Sequence, residues 1–174
     1  QQAVEQRMTA DFSGGESTLE VTRSEVDAQQ DHLVFRKPGA STVSARFFLP
    51  LAPTAMAAEL EHLSATADML PHRGTSTISI LVNGSVVAEN LDVGSHSFAV
   101  DRLQLAKYVH VGRNSFEVRM TGGRTAYWLK RIDLLATFPT GAAIDAKVER
   151  QALQDASQDY AVVVSRSTYT DEDW

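Results

Sequence analysis

The sequence predicts an all-β protein: an antiparallel sandwich with short helices and a polar C-terminal extension. Three observations support this prediction. Apolar and polar residues alternate in several short runs, which is the period-two pattern of half-buried strands. Asn83-Gly84 separates two such runs, and a type I′ hairpin turn needs positive φ at both of its central residues. Past Pro139 the composition changes to alanine, glutamine and charged residues.

The first 15 residues are polar in composition, and Ser13-Gly14-Gly15 at their end is typical of a break between elements. A short strand follows over Leu19–Arg23, where apolar and polar residues alternate. Leu33–Phe35 is predicted to be another short strand. The sequence therefore places its first two strands before residue 36.

Lys37-Pro38-Gly39 is a predicted turn, because proline presets φ and glycine accepts positive φ. Thr42–Leu49 then alternates as a strand, with Val43, Ala45 and Phe47 on one face. Met56–Leu63 has two interpretations. Its residues are good helix formers, but Ala58, Leu60 and His62 also alternate with polar neighbours, and a hairpin follows. We expect a strand over residues 57–65.

The centre of the chain is predicted to contain the hairpin strands Thr77–Leu81 and Val86–Ala88, followed by a strand over Ser97–Val100. Asp101 is placed to cap a helix through its carboxylate. The buried side of that helix would be formed by Leu103, Leu105, Tyr108 and Val109.

Two longer strands complete the predicted sandwich. Asn114–Met120 alternates, with Phe116 and Val118 on one face, and Ala126–Phe138 follows the Gly122-Gly123 turn. These elements define a predicted sandwich domain over residues 1–139. Residues 140–174 form the predicted C-terminal extension, which would pack on the sandwich or on a partner.

Within the extension, residues 142–161 are predicted to form a weakly amphipathic helix with sparse apolar positions at Ile144, Val148 and Leu153. Val162–Val164 would then be an edge strand. Because this helix has few apolar residues to bury, the extension is the part of the chain most suited to docking on another surface.

Composition excludes several classes of function. The 174-residue chain has no cysteine, which rules out disulfides, thiolate metal sites and cysteine nucleophiles. Its net charge of −6 is unfavourable for holding a polyanion, so no nucleic-acid partner is expected. No apolar run approaches the roughly 20 residues of a bilayer span. The chain does not begin with Met, which leaves open a mature secreted form, a processed protein or a domain of a larger one.

No pattern in the sequence predicts catalysis. The five histidines are not arranged in a zinc spacing such as HExxH, and no nucleophile elbow, P-loop or GxGxxG motif is present. Glu59 and Glu61 would share a strand face about 7 Å apart, a distance that glycoside hydrolysis could use. An exposed polar strand face explains this pair equally well, and a hydrolase or lyase ranks below the non-catalytic interpretations.

Several aromatic and basic residues are candidates for ligand binding. The flat rings of Tyr127 and Trp128 suit stacking on a sugar, and alternation sends one of the two into the core. We expect Trp128 to be the core residue. Arg124 and Arg131 flank this pair, and His72 and Arg73 belong to a loop long enough to lie over one end of the sandwich.

The Thr75–Phe138 region resembles the galactose-binding-like jelly-roll superfamily. The resemblance rests on the hairpin Leu81-Val82-Asn83-Gly84, on Asp101 with the helix after it, on Val111–Val118 with its Gly112-Arg113-Asn114 turn, and on Ala126–Leu134 as a closing strand. It implies a jelly-roll β-sandwich and covers about a third of the chain. Its motifs are structural, so no sugar contact carries over to a particular residue.

The function implied by this resemblance is lectin-like: a non-catalytic carbohydrate-binding module that recognises a glycan through loops at one end. Such modules are commonly secreted or on the cell surface, and some hold a structural calcium ion. Asp27, Asp31 and Asp171–Asp173 are weak calcium candidates without a known loop spacing, and no other cofactor is expected. The alternative is a protein interaction or self-assembly module that uses the extension.

Overall fold

The computed structural model describes residues 4–63, 76–93, 99–123 and 125–139. Within these residues the chain forms eleven strands and one 3₁₀ helix, Ala106–Tyr108. The strands are β1 (Val4–Asp11), β2 (Glu20–Ser24), β3 (Val26–Ala28), β4 (Leu33–Phe35), β5 (Thr42–Leu49), β6 (Ala55–His62), β7 (Ser76–Val82), β8 (Ser85–Asp92), β9 (Ala99–Gln104), β10 (Gly112–Gly123) and β11 (Tyr127–Phe138).

The strands form two antiparallel sheets. Sheet A runs β3-β4-β11-β6-β9, and β1 pairs with β11 along the same edge as β4. Sheet B runs β2-β5-β10-β7-β8. The inner faces of both sheets supply the core, whose largest fully buried side chains include Phe35, Phe116, Phe138 and Tyr127. The all-β sandwich expected from the alternating runs is confirmed.

Local patterns are confirmed where the sequence was most regular. The predicted strands Leu33–Phe35 and Thr42–Leu49 have those bounds in the structure, and the ambiguous segment after residue 55 is strand β6. Asn83 and Gly84 have φ of 52° and 83°, as a type I′ turn requires. The residue chemistry of the turn thus decides how β7 and β8 are joined.

The predicted helix after Asp101 is wrong over most of its length. Residues 99–104 form strand β9, in which Asp101 lies opposite Leu60, and only Ala106–Tyr108 is helical. The apolar spacing was compatible with either element. Pairing with β6, a strand some 40 residues earlier in the sequence, decides in favour of the strand, because tertiary contacts override weak local preferences.

A strand was also missed at the start of the chain. Residues 4–11, for which no strand was predicted, form β1, which pairs with the last eight residues of β11. Met8 and Ala10 are buried in the core, while Glu5 and Arg7 are exposed. The predicted extension, residues 140–174, lies outside the described residues, as do its predicted helix and edge strand.

The two ends of the sandwich differ. At one end, called here the loop end, the chain passes between strands through residues 36–41, 63–75, 93–98 and 124–126. The opposite end contains the Asn83-Gly84 turn, the 3₁₀ helix and the paired residues Val4 and Phe138. Among the described residues, no helix is long and apolar enough to cross a membrane.

Candidate functional site

A β-bulge in β11 decides which aromatic residue enters the core. Pairing of β11 with β6 shifts register between Leu129 and Arg131, so the inward-facing phase changes there. Tyr127 and Leu129 point inward on one side of the bulge, and Ile132 and Leu134 on the other. Trp128, which was expected in the core, is half-buried on the outer face, and Tyr127 is the core residue at 1% exposure.

Tyr127 is the inner end of a hydrogen-bonded network of three side chains, in which Tyr127 and His62 are buried and Asp101 is half-buried. Its hydroxyl lies 2.7 Å from Nδ1 of His62, and Nε2 of His62 lies 2.7 Å from Oδ2 of Asp101. With a neutral imidazole, the Tyr127 hydroxyl donates to Nδ1 and the Nε2–H donates to the carboxylate. Burial, aided by the charge of Asp101, raises the pKa of Tyr127 well above its ordinary value. His62 therefore has a structural, hydrogen-bonded role.

The hydrogen-bonded network of Tyr127, His62 and Asp101 lies where three connecting segments of the loop end join the strands. His62 precedes the segment 63–75, Asp101 follows 93–98, and Tyr127 follows 124–126. A second contact joins two of the same segments, because the Ser76 hydroxyl donates to the Thr125 carbonyl oxygen at 2.5 Å, with both residues buried. Hydrogen-bonded, buried anchors of this kind fix the positions from which the loop-end segments leave the sandwich.

The outer face of sheet A is ordered in rows that run across the strands. Register places Arg7, Leu135, Ala57 and Gln104 in one row, and Thr9, Asp133, Glu59 and Arg102 in the next. Asp11, Arg131, Glu61 and Val100 form the third row. Trp128 and its cross-strand partner Val34 lie beyond these rows, toward the loop end.

Ion pairs tie the charged rows together. Arg131 is central: its Nη2 lies 3.2 Å from Oε1 of Glu61, and its Nε lies 3.0 Å from Oδ2 of Asp133, without hydrogen-bond alignment at that second contact. Asp133 is buried and also accepts a 2.6 Å hydrogen bond from the Thr9 hydroxyl. Arg102 binds Glu59 at 2.6 Å. These contacts hold charged groups in fixed positions on an otherwise flat sheet.

Trp128 is held on the outer face by its neighbours. The His32 ring packs against it with centroids 4.4 Å apart and planes tilted by 31°, and the carboxylate of Asp31 lies 2.6 Å from Nδ1 of His32. The backbone carbonyl of Trp128 accepts a hydrogen bond from the amide of Leu63. An aromatic ring fixed in this way has a defined orientation before any ligand arrives.

The six predicted ligand-binding residues differ in where they lie. Trp128 and Arg131 share the outer face of sheet A, three residues apart on β11. Tyr127 is removed from the set, because a side chain in the core offers no ring face to a ligand. Arg124, His72 and Arg73 lie outside the described residues.

Other contributors to this face were not foreseen. The contact of His32 with Trp128 depends on the pairing of β4 with β11, a strand almost 100 residues later in the sequence. Glu59 and Glu61 share a face of β6 as predicted, but each is ion-paired with an arginine of a neighbouring strand. Glu59 pairs with Arg102 of β9, and Glu61 pairs with Arg131 of β11. Alternation revealed which face these residues occupy, while their partners come from distant sequence.

Two of the three calcium candidates, Asp27 and Asp31, lie among the described residues. Asp27 pairs with Arg36 at 3.3 Å and Asp31 with His32, and no group of three or more acidic or histidine side chains among the described residues could hold a metal ion. Calcium usually takes six to eight oxygen ligands, so the described residues do not fit it. The third candidate, Asp171–Asp173, lies outside the described part of the chain.

At the opposite end, the Gly112-Arg113-Asn114 motif has a structural role. Asn114 is buried, and its side-chain amide donates to the carbonyl oxygens of His110 and Gly112. The Asn83 amide group donates to Oδ1 of Asn114 at 2.8 Å. The two asparagines therefore fasten the hairpin turn to the connection that leads into β10.

The fold is similar to solved carbohydrate-binding structures. The GH26-CBM35 β-(1,4)-mannanase of Podospora anserina matches at TM-score 0.51 and 12% identity, over 78% of this chain and 28% of the mannanase chain. A family 35 carbohydrate binding module from Clostridium thermocellum matches at TM-score 0.51 and 9% identity, over 74% of this chain and 97% of the module. At such identities the likeness establishes the fold alone, and it confirms the jelly-roll β-sandwich that the resemblance implied.

Sequence comparison adds no relative: no protein-family model and no curated protein matches the chain.

Proposed function

We propose that this protein is a non-catalytic carbohydrate-binding module that recognises a glycan at the loop end and the adjoining outer face of sheet A. Two observations of different kinds support the proposal. The jelly-roll fold is shared with a solved family 35 carbohydrate binding module, although one fold hosts many functions. The outer face near the loop end carries an aromatic ring packed on His32 and, three residues further along β11, the ion pair of Arg131 with Glu61.

The main support for the proposal is the position of the Trp128 ring on the outer face of sheet A. A half-buried indole on a sheet face offers apolar area that matches the C–H face of a sugar ring, and His32 holds it in one orientation. Because little side-chain freedom is left to lose on binding, the entropy cost of stacking is low.

The polar groups beside the ring would supply orientation and specificity. The guanidinium of Arg131 and the carboxylate of Glu61 are held 3.2 Å apart on the same face. Sugar hydroxyls both donate and accept hydrogen bonds, so the guanidinium can donate to one hydroxyl and the carboxylate can accept from another. Together with the ring, this gives the mixture of apolar surface and few fixed polar groups that is typical of ligand sites.

The test is a broad glycan array with the whole chain, first with calcium and then with a chelator, followed by titration of any glycan that binds. Trp128→Ala is expected to weaken binding at least about tenfold, which corresponds to about 1.4 kcal/mol. The matched control is Tyr108→Ala, because Tyr108 is a half-buried aromatic residue at the opposite end. Calcium dependence of binding would assign a metal to the site.

Two results would contradict the proposal. One is an array that stays blank for the folded wild-type chain, which would favour the assembly role of the extension. The other is a Trp128→Ala variant that unfolds with the wild-type midpoint and binds with unchanged affinity, which would move the site away from this face. If Trp128→Ala fails to fold, Trp128→Phe retains a ring and is expected to bind more weakly than wild type but measurably. A protein of this function would act where polysaccharides are found, outside the cell or at its surface.

A further inference from the structure

The hairpin turn Asn83-Gly84 combines a reactive residue pair with an exposed position. The side-chain carbonyl carbon of an asparagine can be attacked by the backbone nitrogen of the next residue, and glycine there leaves the approach open because it has no Cβ. The chain has three asparagines, and Asn83 is the one that a glycine follows. Both turn residues are exposed, with open space where a Cβ of Gly84 would lie. Residue type and position therefore favour deamidation at Asn83.

In the folded chain the side-chain amide of Asn83 is held by three hydrogen bonds. Its Nδ2 donates to the carbonyl oxygen of Tyr108 at 3.0 Å and to Oδ1 of Asn114 at 2.8 Å, and its Oδ1 accepts from the amide of Ser115 at 2.9 Å. These partners fix the orientation of the amide, because a backbone carbonyl can only accept and a backbone N–H can only donate. The backbone nitrogen of Asn83 also donates to the Ser115 carbonyl oxygen. We call these four contacts the Asn83 cage.

Deamidation requires the Asn83 cage to open. In the first step the Gly84 nitrogen forms a bond to Cγ of Asn83, and its proton passes through water to Nδ2, which leaves as ammonia. Water then adds to one of the two carbonyl carbons of the resulting five-membered imide and opens the ring, giving aspartate or isoaspartate. Because the attack makes Cγ tetrahedral and expels Nδ2, it disrupts the three aligned bonds of the side-chain amide. The folded cage therefore opposes the first step.

The product would not fit the contacts that Asn83 makes. A carboxylate at position 83 would place an oxygen where Nδ2 lies, beside the Tyr108 carbonyl and Oδ1 of Asn114, and neither of these can donate to it. Asn114 would lose two bonds if its amide turned round, because its Nδ2 donates to the carbonyl oxygens of His110 and Gly112. Isoaspartate would in addition lengthen the backbone by one carbon inside a two-residue turn. Conversion would therefore unfasten the hairpin turn from the connection that leads into β10.

Asn90 separates the effect of the residue pair from the effect of exposure. It is exposed and has a φ of 55°, close to the 52° of Asn83. Leu91 follows it, and a residue with a side chain obstructs the approach of its nitrogen to the amide carbon. Asn90 is thus an internal control in every sample.

We propose that Asn83 is a latent deamidation site, which the Asn83 cage protects while the opposite end of the sandwich is closed and which converts once that end opens. A single covalent change would then record the time that this end has spent open. The proposal does not depend on glycan binding, and the experiment below does not measure it.

The test measures conversion of Asn83 in the full-length chain in mildly alkaline buffer, by peptide mapping with fragmentation that distinguishes aspartate from isoaspartate. In the chain unfolded in urea, Asn83 is expected to convert faster than Asn90. In the folded chain its rate should fall at least about tenfold, the ratio that a local opening free energy of about 1.4 kcal/mol produces. Asn114→Ala removes one acceptor of the cage and should remove most of this protection, while the rate at Asn90 stays unchanged.

Asn83→Asp reproduces the aspartate product directly. Its urea midpoint is expected to lie below that of wild type, because two donated hydrogen bonds are replaced by contacts between acceptors. Asn90→Asp is the matched control and should leave the midpoint nearly unchanged. An Asn83→Asp variant with the wild-type midpoint would mean that the product fits the cage, and would overturn the predicted effect of conversion.

Two further outcomes would overturn the proposal. Equal rates at Asn83 in the folded and unfolded chains would mean that the cage gives no protection. A folded Asn114→Ala variant that converts no faster than wild type would mean that the bond to Asn114 does not restrain the amide. If Asn114→Ala does not fold, wild type is measured in urea below its unfolding transition. A rise in conversion while far-ultraviolet circular dichroism stays native supports opening of this end alone, whereas conversion that rises only with global unfolding contradicts it.

Discussion

Replacing Tyr127 with Phe removes one hydroxyl from the hydrogen-bonded network of Tyr127, His62 and Asp101. The ring itself stays, so its packing against Phe35, with centroids 5.1 Å apart, is retained. What is lost is the donor 2.7 Å from Nδ1 of His62. Because His62 is 2% exposed, water cannot replace that donor without opening the core.

The magnitude follows from this geometry. A buried acceptor that loses its donor costs about 1–3 kcal/mol, more than the net value of the bond itself. We therefore expect Tyr127→Phe to lower the free energy of unfolding by that amount. In a domain of 150–250 residues each kcal/mol shifts the melting temperature by about 2–4 °C, so a fall of about 2–12 °C is expected.

Urea unfolding followed by far-ultraviolet circular dichroism measures the change, and an unaltered m-value shows that the unfolded state is comparable. The control is Tyr108→Phe, since Tyr108 is half-buried at the opposite end and water can solvate the groups around it. Its effect should stay within about 0.5 kcal/mol. A Tyr127→Phe variant as stable as wild type would refute the reasoning, because the hydroxyl would then contribute nothing to the hydrogen-bonded network.

Two further predictions concern pH and the hairpin turn. Burial, then Asp101, raises the pKa of Tyr127 in the folded state. Its contribution to stability is therefore complete below the ordinary tyrosine pKa of about 10 and is lost as pH rises from there toward the folded value; urea midpoints should fall above pH 10, less steeply in Tyr127→Phe. Gly84 has φ of 83° and open space where a Cβ would lie, so Gly84→Ala should cost about 1–2 kcal/mol through backbone strain alone. Ser85→Ala is its control, and equal urea midpoints for the two variants would contradict this account.

How much of the fold could be predicted depends on how local the deciding interaction is. The Asn83-Gly84 turn was predictable because its φ values are set by those two residues alone. Strand β9 was not, because its apolar spacing suited a helix and only pairing with β6 made it a strand. Strand β1 had a weak signal in the alternation of Met8 and Ala10, which the polar residues around them obscured.

The candidate site shows the same limit in a single element. Alternation predicts that Tyr127 and Trp128 face opposite ways, but not which of them is buried. Counting back in steps of two from Phe138, Ala136 and Leu134 would place Trp128 in the core, whereas the register shift after Leu129 reverses that order. A bulge of one residue leaves little trace in sequence, and it exchanges a core residue for a surface aromatic.

The pairing of Val4 with Phe138 determines how this sandwich can be carried by other molecules. Antiparallel partners are about 5 Å apart, so the start of the first strand and the end of the last strand lie at nearly one point, at the end opposite the loop end. A tether attached before Val4 or after Phe138 would start from the same place. Either attachment would hold the sandwich by the end that contains Val4 and Phe138, with the loop end directed away from the tether. Such a module can be inserted between two neighbours, or attached to one, without turning its candidate binding end away from the solvent.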